Sequence, residues 1–328
     1  MDKESSVSII IPVHNGSQYL TKCLSSLAQS SYGSYEVIVV DDGSTDPSSD
    51  IARNHGAIVF KLSDQSGPAA ARNFGAKQAK GNIIFFIDSD VVVKEDTVAR
   101  VVRDFGENPD VVALFGSYDE SPEEQGFFSQ FKNLQHHFVH QSSRAEASTF
   151  WAGCGAIRKE VFDHVGGFDE LRYSRPCIED IELGFRLKRM GYRILLDREL
   201  QVKHLKKWTF ISLLRTDILD RAIPWSKLIL ESGKMVSDLN LQPSQKASTF
   251  LVGLLIATLF LSFVVPKLIY LVLFLILSIW VINHRLFMFF FRRKGPIFSL
   301  LAFAMYLLYY FYSGVTYASC WLAHKVRG

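Results

Sequence analysis

The 328-residue chain carries 36 Lys and Arg against 33 Asp and Glu, a formal net charge of +3 that hides a steep internal gradient. Residues 1 to 202 hold 21 basic and 29 acidic side chains, 203 to 246 hold eight and four, and 247 to 328 hold seven and none. The acidic leading part excludes a basic nucleic-acid footprint, and the carboxylate-free apolar end implies a second part of a different kind, suited to a bilayer.

Val7 to Val13 and Glu36 to Val40 are short β-branched runs that read as buried parallel strands, the second ending in Asp41 and Asp42. Between them, Leu20, Leu24, Leu27 and Ala28 recur at helical spacing, which makes a β-α-β unit. The alternation continues with a helix near Ile51 to Asn54, a strand over Ala57 to Lys61 and a helix over Ala69 to Ala79. A strand over Ile83 to Ile87 then runs straight into Asp88. This order predicts an α/β domain with an open, doubly wound and mostly parallel sheet, whose ligands sit beyond the carboxyl ends of the strands. Those ends carry His14-Asn15, Asp41-Asp42 and Asp88-Ser89-Asp90.

Residues 106 to 126 read as loop, and 127 to 147 as a helix over the site. Phe150 to Arg158 is a small-residue segment, Ile178 to Met190 a helix opening at Glu179-Asp180, and two strands are expected at Tyr192 to Leu196 and near Val202. Trp208 to Leu230 interleaves Leu213, Leu214, Ile218, Leu219 and Ile223 with Arg215, Asp217, Asp220 and Arg221, an amphipathic pattern suited to a membrane interface or to an ordinary capping helix.

The last third has apolar segments over about 247–265, 268–290 and 297–323, interrupted by Pro266-Lys267 and by Arg292-Arg293-Lys294. Two or three spans are expected. Basic residues before the first segment and after the second place both flanks, and with them the α/β domain, on the cytoplasmic side. Cys23, Cys154, Cys177 and Cys320 show neither CxxC spacing nor clustering, as in a reduced, cytosol-facing protein. The opening MDKESSVSIIIPV has too short an apolar run for a signal peptide.

Asp88-Ser89-Asp90 is the strongest local chemical signal, because two carboxylates one residue apart can share a hard divalent cation that also meets phosphate. A helix-capping cluster is the alternative. Asp41-Asp42-Gly43-Ser44-Thr45-Asp46 reads as a ligand loop, as an Asx-type turn, or as both, with Asp46 capping and Asp42 binding. Gly67-Pro68-Ala69-Ala70-Ala71-Arg72 opens a helix with small residues, leaving room for phosphate at its N-terminus. Glu179-Asp180 stands where carboxylates cap a helix or serve as a base.

Taken in order, IPVHN, VVDDGSTD, GPAAARNFG, FIDSD, GCGAIRKEVFDHVGGFDE and IEDIELGFRLKRMGY resemble the family 2 inverting glycosyltransferases of the GT-A fold, over residues 6 to 205. With the apolar and amphipathic segments above, the chain divides into a GT-A catalytic domain at 1–205, amphipathic interface helices or a linker at 206–246 and a transmembrane region at 247–328. The resemblance implies that Pro12, His14, Asn15, Asp41, Asp42, Arg72, Asp88 and Ser89 bind the nucleotide sugar. Asp88, Asp90 and His204 would hold Mg2+ or Mn2+, and Asp180, with Glu179 beside it, would act as base. Gly153, Cys154, Gly155, Arg221 and Trp225 would border the acceptor.

Two departures matter. Gly16 stands where many relatives have Glu, and Arg221 and Trp225 lack the Gln and the spacing of processive synthases. The expected partners are therefore a nucleotide-diphosphate sugar and a lipid or polyprenyl-phosphate-linked acceptor at a membrane, with a small processive polysaccharide synthase or a catalytically silent glycan- or nucleotide-binding membrane scaffold as the competing readings.

Overall fold

The computed structural model describes residues 6–233 and 239–327. The chain divides into two compact units, one through Trp208 and one from Thr209 onward. Residues 234–238, within the expected interface stretch 206–246, lie outside the described residues.

In the first unit, strands β1 (Val7–Val13), β2 (Tyr35–Asp41), β3 (Ile58–Lys61) and β4 (Ile83–Ile87) alternate with helices α1 (Ser17–Leu27), α2 (Ser48–Asn54) and α3 (Pro68–Gln78). There follow β5 (Val91–Val92), α4 (Thr97–Glu107), β6 (Val111–Tyr118), α5 (Phe127–Ser142), β7 (Glu146–Ala147), β8 (Cys154–Arg158), α6 (Lys159–His164), α7 (Glu179–Arg189) and β9 (Arg193–His204). The sheet runs β3-β2-β1-β4-β8-β6-β9-β5, with β7 also on β9. All five residues of β4 are at most 2% exposed, so an unbroken Ile-Ile-Phe-Phe-Ile run belongs in the middle of a sheet covered on both faces.

The expectation of a mostly parallel sheet holds for the direction of β1, β2, β3, β4, β6 and β9, but the sheet is mixed. β1, β2, β3 and β4 pair in parallel, but β8 runs antiparallel between β4 and β6, and β5 and β7 run antiparallel to β9. The expected loop over 106–126 also contains a fully formed central strand, β6. Its Val111-Val112-Ala113-Leu114-Phe115 run is buried, and because both faces are covered it shows no alternation that would betray a strand. The two strands expected over 192–202 are one continuous twelve-residue strand, β9.

The inserted antiparallel strand positions the site. Because β8 opposes both neighbours, β6 and β9 point the same way as β1, β2 and β4. The carboxyl ends of all five strands therefore meet at one edge, as does the start of β8.

The second unit opens with α8 (Phe210–Arg215), capped by reciprocal Thr209 and Ser212 bonds, then a π-helical stretch Thr216–Ala222 and α9 (Ile223–Ser232). The expected amphipathic stretch is thus wound in three pieces. Helices α10 (Pro243–Ser262), α11 (Ile269–Ile282) and α12 (His284–Arg327) follow, with α12 broken at Gly295 (φ 86°, ψ 178°) ahead of Pro296. Where one apolar segment was expected over 268–290, α11 ends at Ile282 and a new helix starts at His284.

Pro243–Ser262 and His284–Val326 are long and apolar enough to cross a membrane, and only 22% of the apolar window of each is buried. A soluble core helix would hide most of that surface; here Phe260, Tyr270, Phe274 and Leu300 are 63% exposed or more. Inside the unit, buried Asn283 ties three helices together: its amide donates to Ser248 Oγ (2.7 Å) on α10, and its Oδ1 accepts from Tyr310 Oη (3.0 Å) on α12.

Candidate active site

At the ends of β1 and β2 the chain is stitched into one loop pair. Asn15, held at φ 50°, accepts at Oδ1 from Thr45 N (2.9 Å), while its own amide donates to Ser44 Oγ (2.9 Å). His14 Nδ1 donates to the Asp42 carbonyl (2.8 Å), and Pro12 is buried in β1. Asp46 accepts from Ser17 N (2.9 Å) and from Ser48, so it caps α1 and α2, and these bonds outweigh burial to hold its carboxyl down at about 2.

The adjacent aspartates have different work. Asp41 is fully buried and accepts from Ser44 N (2.7 Å) and Ser49 Oγ; burial would raise its carboxyl, but these bonds lower it. It shapes the turn and presents no exposed surface to a ligand. Asp42 accepts from Ser66 N (2.6 Å) and Gly67 N (2.8 Å), the two amides leading into α3. Gly67 has φ 90°, and a Cβ there would stand 2.3 Å from the Ser174 carbonyl, so only glycine permits this approach.

Arg72, the expected diphosphate partner, is instead buried between two carboxylates. It donates to Asp88 Oδ1 (2.7 Å) and Glu179 Oε1 (2.8 Å), lies 5.7 Å from the Phe168 ring centre, and leaves Nε without a protein hydrogen bond. Burial opposes its charge, but Asp88 and Glu179 outweigh that and raise its pKa further. Glu179 is itself buried, and its second oxygen accepts from Cys177 N (3.0 Å), so it serves as a counter-ion to Arg72.

Asp180, one residue on, is partly exposed. It accepts from Ala152 N (3.1 Å). That contact is possible because α7 packs directly on the chain at Thr149 and Phe150, where a Cβ on Gly184 would meet Phe150 N at 2.3 Å.

Asp90 lies 3.6 Å from His204 Nε2 across the β5–β9 pairing, in which Val91 faces His204. Burial would raise the Asp90 carboxyl, yet His204 beside it holds it below the ordinary range. The sequence-expected Asp88, Asp90 and His204 thus converge at the same edge. Among the described residues no group of three His, Cys, Asp or Glu forms a ready-made metal cage. Even so, an Asp-His pair with Asp88 alongside fits a hard divalent cation whose remaining ligands are substrate phosphate and water. Ser89 is half-buried, and Gly16 packs against it: a Cβ on Gly16 would sit 3.2 Å from Ser89 Oγ and 2.7 Å from Val13, leaving no space for a side chain such as glutamate.

The acceptor residues need partial correction. Cys154 is fully buried opposite Ile87, its thiol pushed up by burial, and a Cβ on Gly155 would lie 2.2 Å from the Trp151 carbonyl. Both are packing residues. Gly153 instead donates structure through its carbonyl, which accepts from Asp88 N (3.2 Å). Arg221 and Trp225 lie in the second unit, at the end of the π-helical stretch and in α9.

Sequence reasoning missed the aromatic wall at this edge. Tyr118, closing β6, stacks on His204 (4.2 Å, 14°) and meets Trp151 (4.8 Å) and His136 (4.4 Å). α5 is bound to β6 by His137 and His140, whose Nδ1 atoms donate to the Tyr118 (2.8 Å) and Gly116 (2.9 Å) carbonyls. The recoverable signal was the histidine spacing 136, 137, 140 on one helix.

Residues 8–166 match the family model Glycosyl transferase family 2. This segment holds the motifs through GCGAIRKEVFDHVG. GlyG of Streptococcus pneumoniae, a glycosyltransferase, is 30% identical over 161 residues, covering 48% of this chain and 53% of that protein. GlyA of the same organism is 33% identical over 129 residues, 38% of this chain and 18% of that one. The chain therefore spans about half or less of these relatives. A mannosyltransferase of Pyrobaculum calidifontis, solved in complex with GDP-Man and Mn2+, superposes with a TM-score of 0.60 over 97% of this chain and 87% of that one, at 16% identity. The mixed α/β sheet around the family 2 segment is accordingly GT-A-like.

Proposed function

We propose that the protein is a membrane-bound inverting glycosyltransferase that moves a sugar from a nucleotide-diphosphate sugar to a lipid or polyprenyl-phosphate-linked acceptor on the cytoplasmic face. The observation that carries this reading is the meeting of Asp88, Asp90, His204 and partly exposed Asp180 at the edge where five strand ends converge, in a fold matched by glycosyltransferases.

Asp88, Asp90, Glu179 and Asp180 crowd one guanidinium and one imidazole, an excess of negative charge that a cation offsets. Mg2+ or Mn2+ held by Asp90 and His204, with Asp88 beside them, would stabilise charge on the departing diphosphate. Asn15 and Asp42 cradle the base and ribose end. Asp180 takes the proton from an acceptor hydroxyl as its oxygen bonds to the anomeric carbon and the bond from that carbon to the diphosphate breaks on the opposite face. Ala152 N keeps the Asp180 carboxylate aimed while it does so.

For an acceptor that is already an anionic phosphate, Asp180 orients rather than deprotonates. A donor screen with purified protein in native lipid extract, followed by mass analysis of the lipid product, tests the assignment. Absence of nucleotide diphosphate release with every donor and metal would leave a silent binding scaffold, and products longer than one added sugar would make it a processive synthase. Asp180→Asn is expected to lower kcat on hydroxyl acceptors by about 10²- to 10⁴-fold with little change in donor binding. Unchanged turnover removes Asp180 from the mechanism.

A further inference from the structure

The first part of α12 carries a feature that sugar transfer does not use. His284, Arg285, Met288, Phe289, Arg292 and Arg293 line an open pocket of about 520 Å³. These residues are spaced i, i+1, i+4, i+5, i+8 and i+9, which on an α-helix is a single face. Cationic or imidazole groups stand at both ends of the face, and a thioether and a phenyl ring fill its middle. Arg285 and Arg292 are seven residues apart, about 10 Å along the axis at 1.5 Å per residue. Both are exposed.

From residue 247 to the end the sequence contains no Asp or Glu. The face ends at Gly295, whose φ of 86° breaks the helix before the apolar run that begins at Ile297. It thus lies between two apolar helical stretches, α11 before it and the rest of α12 after it, where an amphiphile would present its headgroup.

We propose that this face of α12 is a binding site for the headgroup of an anionic phospholipid, whose phosphate pairs with Arg285 and Arg292 while its glycerol and first methylenes lie on Met288 and Phe289. The proposal rests on the reading of the second unit as membrane-embedded. Guanidinium groups suit the partner, since their planar fork meets two phosphate oxygens at once. The cation–apolar–cation order matches a lipid better than inorganic phosphate, which would gain nothing from the central pair.

The test uses the full chain purified in an uncharged detergent, titrated with dioctanoyl phosphatidylglycerol, dioctanoyl phosphatidylcholine or inorganic phosphate, with bound lipid counted by native mass spectrometry. Phosphatidylglycerol is expected to bind at least about tenfold tighter than phosphatidylcholine, and more weakly as salt is raised. Arg285→Gln with Arg292→Gln should weaken it about 25-fold, at about fivefold per cation, whereas the double lysine variant, which keeps the charges and loses the planar forks, should fall between the two. Equal binding of the two lipids, undiminished binding by the double Gln variant, or inorganic phosphate displacing the lipid at comparable concentration would each overturn the proposal. Recovery of the chain in buffer without detergent would instead refute the membrane reading, independently of lipid affinity.

Discussion

Arg72 links the charged groups of the site, and its removal separates a structural from a chemical role. Its guanidinium is the shared partner of Asp88 and of Glu179, whose side chain is 6% exposed. Taking away one member of a buried pair strands the other charge, at a cost of about 3–5 kcal/mol. Arg72→Ala should therefore lower unfolding stability by that order, and adding Glu179→Gln should recover a substantial part of the loss, as read by denaturant titration of the detergent-solubilised chain. An additive double variant would show that the two groups are not coupled. The sequence made Arg72 visible as a cation at a helix start but not as a buried one, because its buried partner Glu179 lies 107 positions away, a separation no local pattern reports. Asp41 and Asp42 were likewise inseparable as a dipeptide. Their roles divide only when strand alternation turns one carboxylate inward to Ser44 and Ser49 and the other to the amides of Ser66 and Gly67.

Elements whose local pattern agreed with their burial were legible: β1 through β4 with their intervening helices, and the start of α7 at its acidic pair. Those set by long-range pairing were not, since only the insertion of β8 between β4 and β6 makes the 111–118 run a central strand. The same part of the fold yields a pH prediction. Asp104 on α4 faces Asp197 on β9, which also accepts from Arg100. Burial, then the bond to Asp197, raises the Asp104 carboxyl to about 7, while Asp197 is held below its ordinary value despite burial, chiefly by Arg100. Between the unfolded value of 3.8 and about 7, folded Asp104 keeps a proton that the unfolded chain has lost, so stability falls as pH rises through that window, by up to about 4 kcal/mol. Asp104→Asn mimics the protonated form and should flatten the slope between pH 4 and 7. An unchanged slope would assign it to other groups.

For the whole molecule, the charge gradient and the helix lengths together predict, on the proposed membrane reading, a topology that can be measured. α10 has 20 residues, about 30 Å at 1.5 Å per residue, which matches a hydrocarbon core. The segment Pro266–Ile282 is 17 residues, about 25 Å, shorter than a full span, so on the proposed membrane reading it would cross only with flanking residues at the headgroups. With cations before α10 and again from His284 to Lys294, the proposed membrane reading predicts that these two form a hairpin whose turn at Pro266-Lys267 faces outward. Cys23 and Cys154 are fully buried, so after replacing Cys177 and Cys320 with serine a new cysteine reports its own position. Lys267→Cys should react with a membrane-impermeant maleimide added outside intact cells, and Lys294→Cys only after the membrane is opened. Reaction of both from the same side would leave α10 and α11 as a hairpin that enters the bilayer without crossing it, and the cytoplasmic assignment of the active site would lose its support.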